Sequence, residues 1–123
     1  MKGAVYIAIL LCAFNLKGFA QPSNDNCNNP IVIGDVTKFC SKTGEYTNEL
    51  ATASGYGSAT CWSSTGRDVW FRFRAFFTDV NITVIGTNPN NTPRRTLARP
   101  LVALYRGICG GTISELECGT DIT

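Results

Sequence analysis

Apolar residues in this chain come in short runs broken by Gly, Asn, Ser, Thr and Pro. No segment beyond the first twenty residues repeats them at the three-to-four spacing of an amphipathic helix, so the pattern is that of β structure. Ile31-Val32-Ile33 predicts a short strand closed by Gly34-Asp35, and Val36–Cys40 a second. The stretch 43–53 reads either as an edge strand or as irregular chain, and 55–66 as a Gly/Ser-rich loop holding Cys61-Trp62. Alternation is clearest in 68–75, where Val69, Phe71, Phe73 and Ala75 share one face and Trp70, Arg72 and Arg74 the other. Val80–Val84 alternates too. The Pro- and Asn-rich stretch 87–100 predicts an exposed loop, and Leu101–Tyr105 a mostly apolar strand. A turn over 106–111 then leads into a last apolar segment, 113–118. Short strands with turn signals between them predict an all-β fold, an antiparallel β-sandwich of jelly-roll type. Its core would be built from Val69, Phe71, Phe73, Ile82, Val84, Leu101, Leu104 and Tyr105.

The start of the chain has a different character. Lys2 precedes the apolar run 4–14, and Gly18-Phe19-Ala20 sets small residues at the cleavage positions before Gln21. This is the pattern of a secretory signal peptide, too short to span a bilayer. Residues 1–20 therefore read as a leader cleaved near Ala20-Gln21, and residues 21–123 as one small domain, secreted or held at the cell surface. Lys2 and Lys17 belong to the leader, so nine of the 11 Lys and Arg remain against 9 Asp and Glu. A balanced chain carries no electrostatic programme for nucleic acid, and no membrane span is expected after cleavage.

Export gives the cysteines their meaning. Cys12 lies in the leader; Cys27, Cys40, Cys61, Cys109 and Cys118 follow it, an odd number in a compartment where cysteines pair. Cys109 and Cys118 bracket the Gly-rich turn and are expected to form a local disulfide; the spacing leaves the pairing of Cys27, Cys40 and Cys61 open. The wide, irregular intervals do not suit a structural zinc site. There is no histidine, which removes the commonest general base and the commonest metal ligand.

Three strings also occur together in order: Asn24-Asp25-Asn26-Cys27, Asp68-Val69-Trp70-Phe71-x-Phe73-x-Ala75, and Leu104-Tyr105-x-Gly107-x-Cys109 followed by Leu116-x-Cys118. In this order the chain resembles the bacterial pre-peptidase C-terminal (PPC-like) domain over nearly all of residues 24–119. The resemblance implies a jelly-roll-like module appended to secreted hydrolases and adhesins, assisting secretion, folding or attachment and not itself catalytic. Such modules continue past the last cysteine into an acidic turn and further strands. A sequence stopping at Thr123 is thus expected to be an incomplete sandwich within a longer reading frame.

The site candidates are few. Asn24, Asp25 and Asn26, with Asp121, could offer oxygens to calcium, although no spaced calcium loop is present and Asn and Asp here equally serve to turn the entering chain. No other cofactor is implied. Trp62 and Trp70, with Tyr46, Tyr56 and Phe76 behind them, are the aromatic candidates for stacking on a sugar; Trp70 on its strand suits packing better, Trp62 in its loop suits a ligand better. Asp68 and Asp79 flank strands and read as turn caps, not as a glycosidase pair. With no catalytic residue to name, the sequence points to a non-catalytic accessory module of a larger exported protein. Its partners would be a polysaccharide, a cell-surface or extracellular protein, or the neighbouring domains. The alternative is the leading domain of a secreted peptidase or glycosidase.

Overall fold

The computed structural model describes residues 20–63, 66–86 and 100–119. Residues 1–19 of the expected leader, most of the expected 87–100 loop and Asp121 lie outside these. The described residues form strands and turns with no helix, in two small sheets. β1 (Ile31–Ile33) pairs with β2 (Phe71–Phe73), and β3 (Val102–Gly107) pairs with β4 (Ile113–Gly119).

The β-branched run Ile31-Val32-Ile33 forms its strand as the pattern predicts, and its partner is the centre of the alternating segment 68–75. The pairing is parallel, with Ile31 opposite Phe71 and Ile33 opposite Phe73, where an antiparallel arrangement was expected. Strands joined by a tight turn run antiparallel, whereas this pair is joined by the long connection 34–70, which lets the chain re-enter in the same direction. Asn24 lengthens the pairing. Its carbonyl accepts from the Trp70 N–H at 2.8 Å, its side-chain amide donates to the Trp70 carbonyl at 3.0 Å, and the Ile31 N–H donates to that same carbonyl. Asn24 is only 4% exposed, so these bonds are what make its burial tolerable.

β3 and β4 form an antiparallel hairpin closed by a turn in which Gly111 N–H donates to the Ile108 carbonyl. Gly107 ends β3 at φ 138°, and a Cβ there would stand 2.3 Å from the Thr112 carbonyl oxygen, so only glycine fits. The register shifts between Leu104, opposite Glu117, and Tyr105, opposite Glu115. Leu116 is the extra residue of this bulge and is exposed, while Glu115 turns inward beside Tyr105.

Two expected strands are absent. Val36–Cys40 is a turn, because Asp35 Oδ1 captures both the N–H and the hydroxyl of Thr37 and competes with any ladder. Those bonds also hold the Asp35 carboxyl below its ordinary pKa. Val80–Val84 pairs with no described strand, and its residues from Val80 to Thr83 are all exposed.

The core is smaller than the apolar pattern suggests. Of the eight expected core residues, Val69, Phe73, Val84, Leu104 and Tyr105 are half-buried, whereas Phe71, Ile82 and Leu101 are exposed. Full burial falls instead on Asn24, Cys27, Ala51, Ala59 and Pro100. Two-stranded sheets cover too little surface to enclose large side chains.

Candidate functional site

The disulfides organise the surface. Cys27 bonds Cys109 and Cys61 bonds Cys118, with Cα atoms 5.5 and 5.9 Å apart; Cys40 is exposed and unbridged. The expected Cys109–Cys118 bridge is therefore corrected. Cys109 sits in the hairpin turn, whereas Cys118 stands near the far end of β4, opposite Ala103. Five residues of extended chain from Ile113 to Cys118 cover roughly 16 Å, far beyond the ~4.4–6.8 Å Cα separation a disulfide accepts. Each end of the hairpin is tied to a different loop instead. Two disulfides fit an oxidising, extracellular-type environment.

The three strings that mark the sequence meet in space. Asn24 holds Trp70 through backbone and side chain, and Cys27 bonds Cys109 at the hairpin turn. The Leu116-x-Cys118 string is bonded to Cys61, beside Trp62. Glu115 reinforces that junction by accepting from the Thr60 N–H at 2.9 Å and from the Thr60 hydroxyl. Tyr105 lies alongside. Burial first, then the neighbouring Glu115 and Asp68 charges, push its phenol above the ordinary value.

Asp25 is occupied by structure. Its Oδ1 accepts from the Thr52 N–H at 2.5 Å and its Oδ2 from the Thr52 hydroxyl at 2.7 Å and from Gln21 at 2.6 Å. Asn26 Oδ1 accepts from the Asn28 N–H. Asn24 and Asp25 thus turn and anchor the entering chain, as Asn and Asp do in such turns. Among the described residues no group of three His, Cys, Asp or Glu could hold a metal. Asp68 similarly accepts from the Ser54 N–H at 3.1 Å, and Asp79 accepts from the Thr78 hydroxyl.

Trp70 is engaged by rings, Tyr56 at 5.7 Å and Tyr105 at 5.8 Å between centroids. It links the neighbourhood of β2 to β3, which is the packing role its strand position suggested. Trp62 is half-buried, with its N–H donating to the Ala59 carbonyl; its indole nitrogen is enclosed with no partner among the described residues. Tyr46 packs edge-on against Phe71, and Phe76 lies exposed beneath the Arg74 guanidinium at 5.8 Å.

Beside the entry turn lies a shallow cleft of about 290 Å³, with Asp25–Asn28 on one side and Thr52–Tyr56 on the other. Its walls are fixed by the Asp25–Thr52 bonds, the Asp68–Ser54 bond, the Cys27–Cys109 disulfide and a bond from the Gly110 N–H to the Tyr56 hydroxyl oxygen at 2.5 Å. Tyr56 is the cleft residue that sequence reasoning placed behind the tryptophans. The signal that would have found it is its position a few residues after Thr52, the partner of Asp25.

Comparison with protein-family models, with curated proteins and with solved structures gave no match.

Proposed function

We propose that this chain is an exported, non-catalytic β module that attaches a larger protein to a polysaccharide or to an extracellular surface. The observation that carries the reading is the balance between cross-links and core. Two long-range disulfides hold the fold, while Phe76, Phe77, Val80, Ile82 and Ile85 in succession stand at the surface. An oxidised module with apolar surface to spare suits work beside other domains or against a solid substrate better than life as a self-contained enzyme. The resemblance to PPC-like modules supports the same reading and suggests that these strands belong to a jelly-roll sandwich. That exposed stretch equally favours the second reading, an accessory domain packed against a peptidase or glycosidase domain.

The test is retention of the oxidised protein on insoluble cellulose, chitin, mannan and peptidoglycan, together with assays for glycosidase and peptidase activity. Retention on at least one polymer without hydrolysis is the expected result. Hydrolysis by the chain itself, or no retention on any polymer, would refute polysaccharide attachment by a non-catalytic module.

A further inference from the structure

The cleft between the entry turn and the 52–56 segment offers a set of groups that neither tryptophan does. Among the nine residues lining it, Asp25 is the sole charged one, and both of its oxygens already accept hydrogen bonds. With no Lys or Arg in the lining, an anion finds no countercharge. A cation finds one carboxylate already engaged. What remains free is neutral. The side-chain amide donors of Asn26 and Asn28 and the Ser54 hydroxyl have no partner among the described residues. The Tyr56 oxygen accepts from Gly110, which leaves its O–H to donate.

Beside these donors stands the Tyr56 ring, 37% exposed and braced edge-on by Trp70. A partly open aromatic ring among amides and hydroxyls, with the one carboxylate already taken up by hydrogen bonds, matches a neutral polyhydroxylated ring: the ring accepts the C–H face and the polar groups meet the hydroxyls. The volume, about 290 Å³, is at the small end for ligand pockets. It suits a single sugar unit of a longer chain that runs on across the surface. We infer that this cleft is the sugar-binding subsite of the module, with Tyr56 as the stacking platform and Asn26, Asn28 and Ser54 as hydrogen-bonding groups. The inference rests on the polysaccharide reading above and moves its site away from Trp62 and Trp70.

The test is titration of the oxidised, ¹⁵N-labelled protein with cellohexaose, chitohexaose, mannohexaose and xylohexaose, followed by amide and side-chain NMR shifts. Ala53→Phe fills the cleft without removing a hydrogen bond, and Asn28→Ala removes one donor; circular dichroism checks that both are folded. At least one hexasaccharide should shift the Asn26, Asn28, Ser54 and Gly55 signals. Each cleft variant should weaken its binding about tenfold, equivalent to about 1.4 kcal/mol, while Trp62→Ala leaves it unchanged. Binding that survives both cleft variants and is lost in Trp62→Ala overturns the cleft assignment and leaves the polysaccharide reading standing. No shift with any hexasaccharide and no retention on any polymer overturns both.

Discussion

Removing the Cys27–Cys109 disulfide should cost this protein most of its stability. The bridge closes a loop with a sequence separation of 82 residues, and Cys27 at its centre is 2% exposed. Chain-entropy arguments assign a loop of that length about 4.5 kcal/mol at 25 °C when it is closed alone. The Cys61–Cys118 loop interleaves with it, so part of that restriction survives when one bridge is lost, and about 3 kcal/mol is the expected net effect. Against a total near the low end of the ~5–15 kcal/mol usual for a domain, such a loss removes most of the folded population's margin. The perturbation is the double variant Cys27→Ser, Cys109→Ser, which also denies Cys40 a new partner at position 109. Urea unfolding followed by circular dichroism, with Cys61–Cys118 kept oxidised, measures it. With a slope of ~1–1.5 kcal/mol per molar for a domain of this size, a midpoint lowered by about 2–3 M urea is expected. An unchanged midpoint would mean that apolar packing, not cross-linking, holds the fold.

Other perturbations probe single elements. Gly107→Ala sets a methyl group against the Thr112 carbonyl and fixes an L-residue at φ 138°, so a loss of roughly 2 kcal/mol or more in urea unfolding is expected. Glu115→Ala strips Thr60 of two bonds beside Cys61 and should cost about 1–2 kcal/mol; Glu115→Gln, which keeps an acceptor, should recover part of it. Tyr105 makes stability fall at high pH. Its folded phenol titrates above the unfolded value of 10.0, so its contribution is complete below that pH and is lost as pH climbs through the folded pKa. Tyr105→Phe should therefore show a shallower alkaline decline than the parent in paired urea titrations from pH 8 upward, and an identical decline would discount the burial argument.

Local chemistry was the legible part of the fold. Ile31–Ile33, the centre of 68–75 and the hairpin over 102–119 were visible because β-branched and aromatic residues, alternation and glycine punctuation all agree there. Val36–Cys40 misled because its strand-like composition is overruled by the side chain of Asp35 just before it. The parallel pairing of β1 with β2 and the bonding of Asn24 to Trp70 depend on where a long connection returns, which no local pattern encodes. The disulfides failed for a related reason. Nearness in sequence suggested Cys109 with Cys118, but a strand between two cysteines drives them apart. Trp70 was legible as packing because it falls in the alternating segment 68–75, next to β2. The cleft was not, because its two walls are brought together by Asp25 and Thr52 from distant parts of the chain.

The most direct test of the account is a peptide map of the non-reduced protein, expressed with residues 1–20 in an exporting host and with free thiols alkylated before digestion. Cys27 linked to Cys109, Cys61 linked to Cys118 and alkylated Cys40, on a chain beginning at Gln21, is the predicted result. A Cys109–Cys118 peptide, or Cys40 found within a bridge, would contradict it.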